Sequence, residues 1–326
     1  MEKTNNKETQ HNGGTLLPVR MNPAFRAGAL TPWGGDRLRT KYGKRIPEVP
    51  TGESLEVSCI PGLESRDDFG RTLPELIGEY GGRFVGKYAG QPFPLLLKLI
   101  DASDTLSVQV HPGDAYAAAH EGKLGKTEAW LILDAPEDGE LVYGILPGTD
   151  MNTLRDACER GGAVKELLRR VRVKPGDVCY IPAGCVHAIG KGIMLYEIQQ
   201  SSDVTYRFYD WDRTDRQGRR RELHIDKALD VTDLSFALKP KTAGAAASER
   251  VLDEKYFTLD LLRAEGEPVL PAPDAFGLLT ALDGEPELVW DGGAVKMTAG
   301  ESYFLPHAAP EMRLRGQGRA ALAMPA

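Results

Sequence analysis

The stretch GDVCYIPAGCVHAIG (residues 176–190) decides the fold class of this 326-residue chain. It contains Gly176, Pro182, Gly184 and His187 in the pattern G-x5-P-x-G-x2-H. Glycine and proline at such short intervals mark tight turns between short strands. Because strand side chains alternate between two faces, the strand after this corner directs His187 towards the interior. The stretch therefore predicts a small β-barrel or sandwich with a histidine inside it.

A second group of candidate ligands lies upstream, in LSVQVHPGDAYAAAHEGKLGKTEAWLIL (residues 106–133). Gln109 and His111 share one face of its first strand-like run, since every second residue of a strand points the same way. Glu128 follows in a second strand-like run, KTEAWLIL. Two imidazoles and a carboxylate suit a metal such as zinc and leave a coordination position open for an oxygen of the substrate. The same donors also suit iron, so the residues alone leave the metal open.

Three basic side chains lie within strand-like runs. Lys126 shares a face with the candidate carboxylate ligand, and Arg207 lies on one face of VTYRFYDW (residues 204–211). Lys98 interrupts the apolar run FPLLLKLIDA (residues 93–102), which we interpret as a strand buried on both faces. A lysine buried without a partner is costly, so Lys98 either has a partner or extends from a strand end to solvent.

Composition and charge exclude several classes of protein. The chain has 40 basic and 47 acidic residues, a net charge of −7, which disfavours nucleic acid as the main partner. No apolar run approaches the ~20 residues that a membrane helix needs. The four cysteines form no CxxC pair and are interpreted as reduced thiols, which indicates a cytoplasmic protein.

The predicted fold class is mainly β with some helix: two β-barrel domains plus a helical insertion. Residues 1–14 are polar and predict a disordered tail. Residues 15–240 form the predicted metal-binding domain, and residues 241–326 a second, metal-free barrel, joined through the small, polar linker KTAGAAASE (241–249). The second barrel repeats G-x5-P in AGESYFLPHAAPEM (299–312) without a histidine at the ligand position. Helical patterns occur in three segments: 72–80, 150–172 with a Gly-Gly break at 161–162, and 223–231.

The corner around His187 (residues 176–190) resembles the second motif of the cupin superfamily, and this resemblance implies that the two predicted barrels are of the cupin or jelly-roll type. The first cupin motif, HxH followed by a glutamate, is replaced here by Gln109-Val110-His111, and Glu128 is displaced by the insertion DAYAAAHEGKLGKT. With these departures the chain resembles the type I mannose-6-phosphate isomerases in their short bacterial form. Seven segments carry the resemblance: PWGGDRL (32–38), TGESLEVS (51–58), PLLLKLIDASDTLSVQVHP (94–112), GKTEAW (125–130), IPAGCVHAIG (181–190), SSDVTYRFYDWDR (201–213) and RELHIDKALDV (221–231).

The resemblance implies an enzyme that interconverts mannose 6-phosphate and fructose 6-phosphate through an enediol(ate), with one Zn2+ per chain. It implies four metal ligands: Gln109, His111, Glu128 and His187. Gln109 is the least secure of them, because a side-chain amide is an unusual zinc ligand. It further implies catalytic roles for Arg207 and Lys126, and phosphate binding by Ser107 and Lys98. The expected partner is a small sugar phosphate, with no nucleic acid and no membrane, in a monomer or a homodimer.

Two other functions and several non-functional roles stay open at this point. An iron-dependent cupin oxygenase would use the same ligands, and a sugar-binding bicupin would use the fold without catalysis. Arg207 could instead pair with Asp203 or Asp210. The run Arg219–Arg221 is interpreted as a solvated turn, and the residue that transfers the proton is not identified.

Overall fold

The computed structural model describes residues 15–215, 217–272 and 274–326. The predicted disordered tail, residues 1–14, lies outside the described residues. Strands dominate the described chain, which confirms the mainly β class. In chain order they are β1 (Val19–Met21), β2 (Ala24–Ala27), β3 (Thr51–Val57), β4 (Leu95–Ala102), β5 (Val108–Val110), β6 (Glu128–Asp134), β7 (Glu140–Ile145), β8 (Leu168–Arg172), β9 (Asp177–Ile181), β10 (His187–Ile189), β11 (Ile193–Gln200), β12 (Tyr206–Tyr209), β13 (Lys241–Thr242), β14 (Ser248–Asp253), β15 (Phe257–Arg263), β16 (Gly277–Ala281), β17 (Glu285–Trp290), β18 (Gly293–Lys296), β19 (Ser302–Leu305), β20 (Met312–Gln317) and β21 (Arg319–Pro325).

The α-helices are short and lie between the strands. They are α1 (Arg37–Tyr42), α2 (Leu73–Tyr80), α3 (Gly82–Val85), α4 (Asp114–Glu121), α5 (Met151–Glu159) and α6 (Ile225–Val231). Four 3-10 segments accompany them: Gly28–Leu30, Gly86–Tyr88, Gly161–Leu167 and Ala264–Gly266. None of the helices in the described ranges is both long and apolar enough to cross a bilayer.

Four sheets organise the strands of the described residues, and in none of them do the first and last strands pair with each other. Their strand orders are β13-β9-β6-β11-β4-β3-β2, β12-β5-β10-β7-β8, β1-β19-β16-β21-β15-β14 and β18-β17-β20. The prediction of two barrels is therefore not confirmed, because no sheet in the described chain closes on itself. The local alternation that predicted strands carries no information on whether the first and last strands of a sheet pair.

The sheets stack in layers through shared clusters of buried side chains. Trp130 of the seven-stranded sheet and Tyr143 of the five-stranded sheet belong to one cluster, which lies between these two sheets. On its other face the seven-stranded sheet packs against the six-stranded sheet, where Leu97 and Phe304 share the largest cluster. Strand β1 from the start of the described chain pairs with β19, so the N-terminal segment completes the sheet formed by the C-terminal strands.

Two predicted elements form for the local reasons that the sequence indicates. Thr72 caps α2: its side chain accepts a hydrogen bond from the Glu75 backbone N–H, and the Glu75 carboxylate accepts one from the Thr72 backbone N–H. This reciprocal capping satisfies two N–H groups that a helix start leaves free. The apolar run that contains Lys98 becomes β4, whose eight residues are all buried, as predicted for a strand covered on both faces.

The helical pattern over 150–172 is confirmed up to its predicted break at Gly161–Gly162 and is not confirmed beyond it. Helix α5 ends at Glu159, a 3-10 segment spans Gly161–Leu167, and the last five residues form the edge strand β8. Gly161 adopts φ +64°, a left-handed conformation that ends the α-helix. Pairing of β8 with β7 then overrides the helical pattern of the remaining residues.

Candidate active site

One row of polar side chains crosses the five-stranded sheet. In the antiparallel register His187 of β10 lies opposite Gln109 of β5, and Gln109 lies opposite Arg207 of β12. Directly opposed residues place their side chains on the same face of a sheet, so these three stand side by side. The corner before His187 needs a glycine: Gly184 adopts φ +88°, and a Cβ there would lie 2.9 Å from the Val231 carbonyl oxygen.

A second row crosses the seven-stranded sheet, which faces the first. Glu197 of β11 lies opposite Lys98 on one side and Trp130 on the other. Its carboxylate accepts hydrogen bonds from both, at 2.9 Å from Lys98 Nζ and 2.9 Å from Trp130 Nε1. Glu128 belongs to the same sheet, because it begins β6. The site thus lies between two sheets, and the residues that form it are far apart in the sequence.

Three candidate ligands converge in the buried space between the two rows. His111 Nε2 lies 3.4 Å from one oxygen of Glu128, and His187 Nε2 lies 3.5 Å from the other. All three residues are almost completely buried. A tetrahedral zinc ion with ligands at 2.0–2.1 Å separates neighbouring ligand atoms by about 3.4 Å. The spacing of these donors therefore fits one cation of this size.

The protonation of this triad also fits metal binding. His187 Nδ1 lies 2.9 Å from the Cys185 carbonyl oxygen, so its N–H donates there and leaves the Nε2 lone pair directed at the triad. Burial, followed by the charge of Lys126, lowers the pKa of His111 to about 3. Burial lowers the pKa of His187 as well. Both imidazoles are therefore neutral near pH 7, the form that binds a metal.

Unsatisfied polar atoms provide an independent sign of a ligand at the triad. His111 Nδ1 is buried without a hydrogen-bond partner, and neither oxygen of Glu128 accepts a well-directed hydrogen bond, although Lys126 forms an ion pair with one of them. Burial by itself would raise the pKa of Glu128, but the adjacent Lys126 ammonium lowers it well below its usual range. A buried anionic carboxylate with unsatisfied oxygens is costly unless a cation balances it. Lys126 supplies part of that balance, with Nζ 3.0 Å from Glu128 and 2.9 Å from His111 Nε2.

Gln109 is placed beside the triad but not within it. Its amide nitrogen lies 3.3 Å from His187 Nε2, which accepts the hydrogen bond because the other ring nitrogen is the donor. Turning the amide over would present its oxygen at nearly the same place. Gln109 can therefore act as a fourth donor through a change in its side chain alone.

A cavity of about 350 Å³ opens onto this centre. Five of the eight predicted site residues line it: Lys98, Ser107, Gln109, Lys126 and Arg207. Arg207 donates from Nε to Ser107 Oγ at 3.1 Å and from Nη1 to the Glu222 carbonyl oxygen. The two aspartates considered as ion-pair partners of Arg207 pair with other residues. Asp203 pairs with Lys123, and Asp210 pairs with two other arginines. Cys179 and Cys185 are buried core thiols, as predicted.

Sequence reasoning missed several cavity residues. Glu197 sits in an apolar strand pattern, and only its pairing with Lys98 shows why a carboxylate is there. Glu53 and Arg26 form an ion pair at 3.2 Å on the cavity wall. Arg221, interpreted from sequence as part of a solvated turn, also lines the cavity, with its side chain only 25 % exposed. A charged residue within an otherwise apolar strand was the only local signal for Glu197.

Comparisons with known proteins agree with this architecture and site. Residues 29–156 match the family model described as phosphomannose isomerase type I, catalytic domain, and residues 248–325 match the model described as mannose-6-phosphate isomerase, cupin domain. The mannose-6-phosphate isomerase ManA of Bacillus subtilis is 38 % identical over 312 residues, which cover 93 % of this chain and 97 % of that protein. The mannose-6-phosphate isomerase of Streptococcus mutans is 38 % identical over 286 residues, 84 % of this chain and 89 % of that protein.

The solved structures agree in fold. The crystal structure of the mannose 6-phosphate isomerase from Bacillus subtilis superposes with a TM-score of 0.83 at 32 % identity, covering 94 % of this chain and 99 % of that one. A likeness of this extent includes both the sheets that form the site and the C-terminal sheets. The chain therefore belongs to the type I mannose-6-phosphate isomerase family.

Proposed function

We propose that this protein interconverts mannose 6-phosphate and fructose 6-phosphate through an enediol(ate), with one Zn2+ held by His111, Glu128, His187 and Gln109. The observation that carries the proposal is the convergence of three buried donors in a chain of this family: each histidine Nε2 lies 3.4–3.5 Å from an oxygen of Glu128, and the ligand atoms all lie within 4.8 Å of one another. Bound zinc would polarise the carbonyl and hydroxyl oxygens of the sugar. The likeness to enzymes named mannose-6-phosphate isomerase supports the substrate.

The residues around the cavity support a proton transfer between two neighbouring carbons. Burial and the charge of Glu128 raise the pKa of Glu197, and a carboxyl with a raised pKa suits the exchange of protons near neutral pH. Lys98 remains charged beside it, because Glu197 and Glu53 raise the lysine's pKa against the effect of burial. Lys126 and Arg207 line the same cavity and are placed to stabilise negative charge on a sugar oxygen or a phosphate.

Chelation and metal return test the proposal directly. Protein stripped with a chelator should be inert towards both sugar phosphates, and one equivalent of Zn2+ should restore turnover. Glu128→Gln should bind less zinc and remain inactive after reconstitution, while the exposed His120→Ala should behave as the parent protein. Zinc-loaded parent protein that interconverts neither sugar would exclude the proposal. Turnover of oxygen with iron, independent of sugar phosphate, would favour the oxygenase instead.

The state of the four cysteines supports a cellular location for the protein. Cys59, Cys158, Cys179 and Cys185 are all free, and free thiols are typical of a reducing environment. They support a cytoplasmic location, where sugar phosphates are the expected small-molecule partners.

A further inference from the structure

The cavity has two chemically different ends. Its inner end contains Lys98 and Arg26, each of which contacts carboxylates. Lys98 Nζ lies 2.9 Å from Glu197 and 3.9 Å from Glu53, and Arg26 lies 3.2 Å from Glu53. Two cations thus face two carboxylates. The ammonium group of Lys98 contacts carboxylates of the protein itself and lies in the cavity wall that the seven-stranded sheet forms.

The outer end has an excess of positive charge. Three arginines meet there, and Asp210 is the buried carboxylate between two of them. Arg221 binds it through two nitrogens, at 2.7 Å and 2.5 Å, and Arg213 binds it at 2.6 Å. Arg207 has no ion pair with any carboxylate of the described residues. Even when the exposed Asp104, 3.9 Å from Arg213, is included, three guanidinium groups face two carboxylates.

The geometry of the outer end presents these charges to the cavity. Arg221 and Arg207 both line it, together with Ser107, whose hydroxyl is the hydrogen-bond partner of Arg207 Nε. The Asp210 carboxylate accepts hydrogen bonds from Nε and Nη2 along one edge of the Arg221 guanidinium group. The remaining N–H groups of Arg221 are left for another acceptor. Two guanidinium groups that line the same cavity, one of them without a carboxylate in an ion pair, suit a dianionic phosphate, which accepts paired hydrogen bonds from arginine.

We propose that Arg221, positioned by Asp210, binds the phosphate group of the substrate together with Arg207 and Ser107. The inference rests on the proposed function, because it takes the substrate to be a sugar phosphate. It orients the sugar so that the phosphate lies at the arginine end of the cavity and the reacting carbons lie at the Lys126 end. Arg221 would therefore determine the preference for phosphorylated over free sugar.

Arg221→Gln tests the inference, and Arg220→Gln is its matched control. Both variants remove one positive charge from the same short run, but the Arg220 side chain is 68 % exposed and pairs with the exposed Asp212. For Arg221→Gln, KM for mannose 6-phosphate should rise at least tenfold, while kcat changes less than about threefold, because a phosphate contact holds ground state and transition state alike. Arg220→Gln should retain both constants. Turnover of unphosphorylated mannose, if measurable, should be the same in all three proteins.

Binding of inorganic phosphate, measured by calorimetry without sugar, separates this inference from the proposed function. Its affinity should fall at least tenfold in Arg221→Gln and Asp210→Asn and stay unchanged in Arg220→Gln. If the parent protein isomerises neither sugar, the proposed function fails, while the phosphate titration still tests Arg221. If the parent enzyme is active but Arg221→Gln keeps its KM and its affinity for phosphate, Arg221 is not a phosphate ligand and the inference is wrong.

Discussion

Lys98 and Glu197 face each other across neighbouring strands of the seven-stranded sheet, with Nζ 2.9 Å from Oε1 and both side chains only 4 % exposed. Neither residue could occupy this place alone, because an unpaired buried charge is strongly destabilising. The pair therefore explains the lysine within an apolar strand. It also connects the cavity wall to Trp130, whose ring lies edge-on to His187.

Lys98→Met should destabilise the protein by about 3–5 kcal/mol, because it leaves Glu197 buried without its cation. The double variant Lys98→Met/Glu197→Gln should recover much of the loss, since a glutamine can still accept the hydrogen bond from Trp130. Chemical denaturation measures both. Lys41→Met is the control: Lys41 forms an exposed ion pair with Asp134, for which a change below about 1 kcal/mol is expected. Equal effects at the two lysines would contradict a buried ion pair.

Without metal, the stability of the protein should fall below pH 6.5. Burial lowers the pKa of His111 from 6.5 to about 3 and also lowers that of His187. The unfolded chain therefore takes up protons that the folded protein excludes, and stability present at neutral pH is lost as the pH falls from 6.5 towards 3. At pH 5.5 His111 contributes a loss of about 1.4 kcal/mol relative to pH 7.5, and the lowered pKa of His187 adds a loss in the same direction.

Urea unfolding of chelator-treated protein at pH 7.5, 6.5 and 5.5 measures this loss. The variant His111→Asn removes one of the two imidazoles and should show a smaller change with pH than the parent protein. A stability independent of pH over this range would mean that the two histidines are not held neutral.

Metal binding should depend on the triad and not on other histidines. His187→Ala should reduce the zinc content per chain from one to well below one, measured by elemental analysis after dialysis, because it removes a donor whose second nitrogen is already fixed by Cys185. Gln109→Ala should reduce zinc affinity less, since its amide nitrogen currently faces His187. If Gln109→Ala lost zinc as completely as His187→Ala, Gln109 would be a full ligand and not an auxiliary one.

The C-terminal sheets should influence catalysis through Tyr256. Its hydroxyl donates to Asp114 at 2.7 Å, and Asp114 in turn accepts from the backbone of Gly125 and from Gln200. Gln200 accepts from the backbone of Thr127, so both residues that flank Lys126 are held by this network.

Tyr256→Phe should therefore lower kcat several-fold and stability by only about 1 kcal/mol, the usual net value of one hydrogen bond. Tyr88→Phe, which removes an exposed hydrogen bond to Ala326, is the control. A loss of stability with unchanged kcat would show that the contact is structural only.

The sequence by itself predicted the local elements and the donors of the metal site. Helix α2 follows from its capping residues, and β4 follows from a continuous apolar run, since both depend on neighbours within a few residues. Strand alternation placed Gln109 beside His111 on one face and Lys126 beside Glu128 on another, and the turn glycines and proline oriented His187. The grouping of the four donors and the two basic side chains into one site came from the resemblance to the family.

The tertiary structure decided what depends on pairing between distant strands. Only the register of β11 with β4 shows that Glu197 is the partner of Lys98, because that contact joins residues 99 positions apart. Only the packing of the turn after β12 brings Arg221 into the cavity, where Asp210 holds it. The two predicted barrels are not confirmed for the same reason, since no sheet of the described residues closes on itself. A strand's own sequence specifies which face is buried, whereas the identity of its neighbour is set by the free energy of the whole assembly.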